Sequence, residues 1–145
     1  MWWIVAIVAL GVAAVAGKKA VQTPLVVSDG IKAVAEAFAR AGEGFYVAGS
    51  VPARANNPGD LKIGDRGYGT IAGKTIFATP QDGWNALYRQ LLLIRNGKSH
   101  NFKPTDTWRE VARTWVGTAD FENWLVNVTD RLGVKSTDRI GDSLA

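Results

Sequence analysis

Glu43 has the position in this 145-residue chain that most favours chemistry. It follows an apolar pattern of helical spacing that stops at Gly42, and it precedes the aromatic residues Phe45 and Tyr46. A carboxylate at the C-terminal end of a helix is disfavoured by the helix dipole, so a structural role explains it poorly. Aromatic neighbours in a cleft would raise its pKa and let it donate a proton near neutral pH. We predict that Glu43 is catalytic; the alternative is a solvated acid at a helix end.

A long irregular stretch follows Glu43 and contains Asn56-Asn57-Pro58-Gly59. Loops of about twenty residues are uncommon in compact domains and are often functional. The paired amides can form a turn, hold the glutamate, or bind N-acetyl and hydroxyl groups, because an amide offers both donors and acceptors. Asn56, Asn57 and Gly59 are therefore candidate substrate-binding residues.

Composition excludes several kinds of site. The chain has no cysteine, which excludes disulfides, thiol nucleophiles and cysteine-based zinc sites. Its single histidine, His100, cannot form a multi-histidine metal centre and is expected to be a solvated loop residue. The net charge of +4 is a mild bias toward anionic partners, and no basic stripe alternates with aromatic residues. We expect no metal, no cofactor and no nucleic-acid partner.

Apolar spacing and capping residues predict an α+β fold that is mostly helical. The 60–78 segment has turn residues every few positions, so it predicts one or two small hairpins with strands around Ile63, Ile71 and Thr75 and a turn at Ala72-Gly73. The predicted helices span residues 29–42, Thr79 to Gly97, Thr105 or Asp106 to Gly117, and Asp120 to Gly133, with a short fifth helix starting at Ser136 or Thr137.

The first seventeen residues carry no charged side chain. A helix of that length is roughly 25 Å long, close to the thickness of the hydrocarbon core, and Trp2, Trp3 and the Lys18-Lys19 pair suit the two interfaces. A cleaved signal peptide is the alternative, but no Lys or Arg precedes the apolar run. The predicted organisation is a single-pass transmembrane anchor at 1–17, of unassigned orientation, a linker at 18–28 and a catalytic domain at 29–145.

Three segments form a combined pattern: Glu43-Gly44-Phe45, the run GSVPARANNPGDL from Gly49 to Leu61, and the run TPQDGWNAL from Thr79 to Leu87. The stretches TWREVARTW and ENWLVNVTDRLGV fit the same pattern. Together they resemble phage-associated lytic transglycosylase-like proteins of the lysozyme-like superfamily, from about residue 31 to 140. The resemblance implies a lysozyme-like fold, with the glutamate ending a helix that faces a small β lobe and glycan in the cleft between them.

The resemblance also implies cleavage of peptidoglycan glycan strands with Glu43 as general acid/base. A lytic transglycosylase needs one carboxyl, because the 6-hydroxyl of muramic acid attacks and leaves a 1,6-anhydro end. Hydrolysis uses two carboxylates. Asp65 in the predicted β lobe is a candidate second acid, whereas Asp60 matches a position where the family pattern also accepts Asn. Muramidase or murein endopeptidase activity is the alternative within the enzyme class.

The aromatic residues divide into two groups. Trp84, Trp108 and Trp124 fall on helical faces that predict core packing, whereas Tyr68 and Trp115 are candidates for stacking on a sugar near the cleft. With residues 2–17 in a bilayer, the protein is expected in a virion membrane or the host cell envelope, where it would act in phage genome delivery or lysis beside other virion proteins. A non-catalytic virion structural protein or peptidoglycan-binding membrane protein is the alternative from another class.

Overall fold

The computed structural model describes residues 23–62, 67 and 69–145. The predicted anchor at 1–17, residues 18–22 of the linker, the strand around Ile63, and both Asp65 and Tyr68 lie outside the described residues. The described part is α+β and about half helical, and it contains one two-stranded sheet. None of its helices is both long and apolar enough to cross a bilayer.

The first helix, α1, spans Asp29–Ala37 and continues into a π-helical turn, Phe38–Gly42. The Ser28 side chain caps its N-terminus. The helix and the π turn together confirm the predicted helical segment up to Gly42. Glu43 is the C-cap of the π turn, and its backbone N–H donates to the Phe38 carbonyl over 2.7 Å. Single π turns inside helices are frequent at functional sites.

A four-residue helix, α2, spans Val51–Arg54 inside the stretch that was expected to be irregular. Ser50 caps it, because its Oγ accepts a hydrogen bond from the Ala53 N–H, and Pro52 sits in its first turn. The prediction of a loop without regular structure is therefore wrong for these residues. The serine and the proline were the local signals for a helix start.

The sheet pairs β1 (Gly69–Ile71) with β2 (Lys74–Ile76) in antiparallel register, with Thr70 opposite Thr75. Ala72 and Gly73 form the turn, and both have positive φ angles, 50° and 79°. This confirms the predicted hairpin and its turn. A single two-stranded hairpin is marginal alone, so this lobe depends on contacts with the rest of the domain.

Two long helices confirm their predicted limits. The α3 helix spans Pro80–Arg95 after the N-cap Thr79, and α5 spans Phe121–Leu132 before Gly133, which adopts the left-handed conformation at the C-cap. The run Leu91-Leu92-Leu93-Ile94 makes α3 apolar nearly all round, which favours a fully buried helix, but Leu93 is 39% exposed. One side of α3 therefore faces solvent.

The two remaining helices begin later than predicted. The α4 helix spans Trp108–Trp115 because Thr107, not Thr105 or Asp106, forms a capping box with Glu110. The α6 helix spans Ile140–Ser143 rather than starting at residue 136 or 137. The preceding chain is bonded to the start of α4 instead: Trp108 N–H donates to the Asp138 carbonyl and Arg109 N–H to the Ser136 carbonyl. Those tertiary hydrogen bonds compete with an earlier helix start.

The main core lies between α1, α3, α4, α5 and α6. Phe38 is at its centre, where its ring makes edge-to-face contacts with Trp108, Trp115 and Trp124 at centroid distances of 4.8 to 6.1 Å. A smaller cluster joins the hairpin side to α3 through Leu61, Phe77 and Ala86, with Trp115 packed against it. Trp115 therefore touches both clusters and ties the β lobe to the helices.

The chain ahead of α1 is held against the domain. The Leu25 N–H donates to Oδ1 of Asn85 over 3.0 Å, and the Asn85 Nδ2 donates to the Thr23 carbonyl over 2.9 Å. The Ser28 hydroxyl donates to the Leu144 carbonyl. Residues 23–28, the described part of the predicted linker, thus follow a defined path across the domain surface.

Candidate active site

The carboxyl group of Glu43 is held by a tryptophan that lies 81 residues later in the chain. Oε2 of Glu43 accepts a hydrogen bond of 2.6 Å from Nε1 of Trp124, in α5. Gly42 makes this contact possible, because a Cβ at that position would lie 2.5 Å from the same indole nitrogen. The glycine that ends the apolar pattern therefore also lets the indole reach the acid.

Burial raises the pKa of Glu43 from 4.5 to about 7. The Trp124 hydrogen bond opposes this rise because it stabilises the charged form, and the Lys74 ammonium and the Trp115 indole oppose it less. The negative charge of Asp60 adds to the rise. Burial outweighs the three opposing groups, so Glu43 holds its proton to near-neutral pH and can still give it up there.

A second carboxylate faces the same region. Lys74 Nζ in β2 lies 2.9 Å from Oδ2 of Asp60 and donates to the Asp60 carbonyl over 3.2 Å. Asp60 has a positive φ of 51°, an uncommon backbone conformation for a residue other than glycine. Its other oxygen, Oδ1, is buried and has no hydrogen-bond partner among the described residues. Asp60 is therefore oriented by Lys74, but its charge is only partly compensated.

A cleft of about 170 Å³ lies beside this group. Asp60, Lys74 and Trp115, which all act on the Glu43 carboxyl, are among its lining residues, together with Gly59 and Phe102. Phe102 and Trp115 form an aromatic wall with centroids 5.6 Å apart. The cleft has the hairpin side on one edge and α3 and α4 on the other, and polar residues share its lining: Lys62, Gln90, Asn101 and Thr114.

Asn57 is fully buried and bonded to backbone groups throughout. Its Nδ2 donates to the carbonyls of Leu61 and Thr75, both over 2.9 Å, and its Oδ1 accepts from the Leu61 N–H over 2.8 Å. These bonds join the loop to β2. The described hydrogen bonds of Asn57 therefore stabilise the packing of the loop against β2, and none of them involves Glu43.

Asn56 also stabilises the position of the hairpin, through a contact just after the end of β2. Its Nδ2 donates to the Phe77 carbonyl over 2.9 Å, and its φ of 52° places it in the left-handed region that asparagine tolerates. Its backbone carbonyl approaches Gly83 so closely that a Cβ there would lie 1.8 Å from the oxygen. Of the three candidates in this loop, only Gly59 lines the cleft.

The tryptophans do not all have the role that the helical pattern predicted. Trp108 is fully buried and Trp84 packs against the core, as expected. Trp124 is buried too, but its indole N–H is directed to Glu43, which the pattern of apolar spacing did not predict. Trp115 lines the cleft. Tyr68 and Asp65 lie outside the described residues, so the structure places neither of them.

Sequence reasoning also missed Lys74 and gave Asp60 little weight. The signal for the lysine was its place in the β2 half of the hairpin, directly after the Ala72-Gly73 turn. His100 is exposed, as expected. Within the described ranges, no three His, Asp or Glu side chains are grouped closely enough to hold a metal ion.

Comparison of the chain with models of protein families, with curated proteins and with solved structures gave no match in any of the three. The chemistry of this site therefore has to be argued from its own geometry. That geometry offers one carboxyl with a near-neutral pKa, a charged pair beside it and a narrow cleft with an aromatic wall.

Proposed function

We propose that this protein is a membrane-anchored, peptidoglycan-degrading enzyme of lysozyme-like fold, a lytic transglycosylase with Glu43 as general acid/base. The observation that carries the proposal is the Glu43 carboxyl, which is held by Trp124 and has its pKa raised to about 7. Three residues that line the cleft, Asp60, Lys74 and Trp115, act on this carboxyl. A glycosidic oxygen is a poor leaving group until it is protonated, so the reaction needs a carboxyl that still has its proton under working conditions.

One carboxyl can serve both halves of a transglycosylase reaction. Protonated Glu43 donates its proton to the bridging oxygen as the bond from that oxygen to the anomeric carbon of muramic acid breaks. The 6-hydroxyl of the same muramic acid then forms a new bond to the anomeric carbon. The Glu43 carboxylate takes up the proton of that hydroxyl, which regenerates the acid and leaves a 1,6-anhydro end. A pKa near 7 suits a group that must both give and accept a proton.

The location is proposed from the N-terminal sequence. Residues 2–17 would hold the protein in a virion membrane or the host cell envelope, and the catalytic domain would open the wall beside that membrane. Phage genome delivery or lysis is the setting that the family resemblance suggests. Confinement near a bilayer would limit wall cleavage to the strands within reach of the anchor.

The test compares wild-type protein with Glu43→Gln on purified peptidoglycan. Gln keeps the size of the side chain and an oxygen for Trp124, but its amide is too weak an acid to protonate a leaving oxygen. We expect clearing in a zymogram by the wild type only, with 1,6-anhydro ends in the soluble products by mass spectrometry. Equal clearing by both proteins would overturn the assignment of Glu43. Freed peptides without new glycan ends would instead identify an endopeptidase.

Muramidase hydrolysis is the second candidate, and Asp60 is the observation that favours it. A second carboxylate beside the acid could orient water in place of the 6-hydroxyl. Asp60 acts electrostatically on Glu43 and lines the same cleft. Reducing muramic acid ends that disappear in Asp60→Asn would support hydrolysis. Binding to insoluble peptidoglycan without any cleavage would support a wall-binding protein without catalytic activity.

A further inference from the structure

The described chain begins at a fixed point on one face of the domain. Asn85, 1% exposed in α3, accepts from the Leu25 N–H and donates to the Thr23 carbonyl. Gln81 donates to the same Asn85 oxygen over 3.0 Å. The chain therefore meets the domain in the N-terminal half of α3 and is held there by partly buried hydrogen bonds.

The distance from this point to the apolar N-terminal segment is short. Only residues 18–22 separate the uncharged run 1–17 from Thr23. Even a fully extended chain of that length spans no more than about 20 Å. If 1–17 crosses a bilayer, as the anchoring part of the proposed function holds, the face of the domain around Thr23 must stay within that distance of the membrane.

That face exposes apolar side chains. Val26 is 98% exposed and Tyr46 50%, and Val47, which follows Tyr46 in the chain, is 61% exposed. These three are half of the large hydrophobic residues exposed in the described part of the chain. Val26 and Tyr46 line a groove of about 490 Å³ together with Trp84 and Tyr88. We call this surface the N-terminal face: residues 24–26, Tyr46, Val47, Trp84 and Tyr88.

The charged residues that border the N-terminal face suit a lipid surface. The carboxylate of Glu36, which lines the groove, accepts hydrogen bonds from Arg40 Nε and from the Tyr46 hydroxyl, and the Arg40 guanidinium lies 4.1 Å from the Tyr46 ring centroid. The negative charge of Glu36 is therefore compensated by the Arg40 guanidinium. Lys32 lines the same groove and is exposed, so it can contact lipid phosphates.

We propose that the N-terminal face rests on the membrane, with Val26 and Val47 at the boundary between head groups and acyl chains. Valine contributes apolar area there, and the amphipathic rings of Tyr46 and Trp84 suit the head-group region. The membrane would thereby hold the domain in one orientation rather than on a free tether. The cleft would then stay at a fixed distance from the bilayer.

Single-cysteine labelling tests this arrangement in the full-length protein, since the chain has no cysteine of its own. Val26→Cys and Val47→Cys carry a small fluorophore in vesicles of phosphatidylethanolamine with a minority of phosphatidylglycerol. Val126→Cys is the matched control, because that valine is 53% exposed but lies in α5. Asn96→Cys is the distant control, at the far end of α3, about 22 Å along the helix from Gln81.

Lipids that carry a quencher in the upper acyl chain provide the readout. We expect several-fold stronger quenching at positions 26 and 47 than at 96 and 126, in protein that floats with the vesicles. Flotation with weak or equal quenching at all four positions would overturn the membrane-resting face while leaving the anchor intact. Failure to float would overturn both the anchor and this inference. Zymography on purified peptidoglycan uses no vesicles, so catalysis is judged separately.

Discussion

Glu43 and Asn57 are both polar side chains of the predicted site, but their surroundings differ in one respect. Asn57 is fully buried and makes three hydrogen bonds, all with backbone groups. The Glu43 carboxyl interacts with two indoles, Trp124 over 2.6 Å and Trp115 more weakly, but burial still raises its pKa. The Asn57 amide is held by these backbone hydrogen bonds and cannot turn toward a ligand without breaking them. The acid is left in a state that a proton transfer can use.

This contrast separates structural from chemical polar groups. A buried polar group whose partners are all backbone atoms stabilises the fold, and removing it leaves several donors and acceptors without partners. A carboxyl that is desolvated but only partly satisfied resists ionisation, and this is the state that general acid catalysis requires. The two residues should therefore respond oppositely to substitution: one through activity, the other through stability.

The largest expected effect is the loss of activity in Glu43→Gln. General acid/base groups contribute typically 10²- to 10⁴-fold to the rate, so kcat on soluble glycan fragments should fall by about that factor. At pH 8 the variant should also be more stable than the wild type, because Gln carries no charge to desolvate. Urea unfolding at pH 8 measures this second effect, and a less stable variant would contradict the account of Glu43 as a destabilising buried acid.

Asn57→Ala should have the opposite effects: a loss of stability with little change in activity. It removes the Asn57 partner of the Leu61 N–H and of the Thr75 carbonyl, while the Leu61 carbonyl keeps its bond from the Thr75 N–H, so we expect a loss of about 2–4 kcal/mol in the free energy of unfolding. The kcat of the folded fraction should change little. Asn127→Ala is the matched control, since Asn127 is exposed on α5 and should alter stability by less than about 0.5 kcal/mol.

A large fall in kcat for Asn57→Ala at a temperature where the variant is fully folded would contradict this assignment. It would return Asn57 to the group of residues that act on substrate. Circular dichroism under the assay conditions establishes the folded fraction. With the folded fraction known, kcat of the Asn57→Ala variant can be compared directly with that of the wild type.

The pH dependence follows from the raised pKa of Glu43. The folded protein binds this proton more tightly than the unfolded chain, whose glutamate titrates near 4.5. The stabilisation from protonated Glu43 is thus fully present below pH 4.5 and is lost as the pH rises through about 7. The full loss is about 3 kcal/mol at most. Urea unfolding from pH 5 to 8 should show this decline in the wild type but not in Glu43→Gln.

The elements of this fold were largely predictable because their signals are local. Ser28, Thr79 and Gly133 mark helix ends through caps that act within a few residues, and Ala72-Gly73 marks a turn in the same way. The late start of α6 was not predictable. It depends on hydrogen bonds between residues 136–138 and the first turn of α4, which no local pattern encodes.

Of the residues that form the site around the acid, only Glu43 was fully predictable from the sequence. Glu43 stands out because of its place at the end of an apolar pattern. Its partner Trp124 is 81 residues away and shares the spacing of a core residue, so its second role depends on tertiary structure. Asp60 and Lys74 likewise meet only when the hairpin folds back on the loop. Spacing predicts which face a residue occupies and not which side chain it will contact.

The smallest effect we expect comes from Trp124→Phe, which removes the donor to Glu43 but keeps an aromatic ring in the core. The indole hydrogen bond stabilises the carboxylate, so its loss should raise the pKa of Glu43 further above 7. A hydrogen bond to a charged group is worth about 1.5 kcal/mol or more, which moves the alkaline limb of the kcat/KM profile upward by about one pH unit. Trp84→Phe is the matched control, because Trp84 contacts Phe45 rather than the acid, and the alkaline limb of this variant should not move.

Gly42→Ala provides an independent way to displace the alkaline limb, since the added Cβ would push the indole nitrogen of Trp124 away from the carboxyl. An alkaline limb that stays in place in both Trp124→Phe and Gly42→Ala would mean that the tryptophan only fills space. The pKa of Glu43 would then be set without a contribution from the Trp124 hydrogen bond.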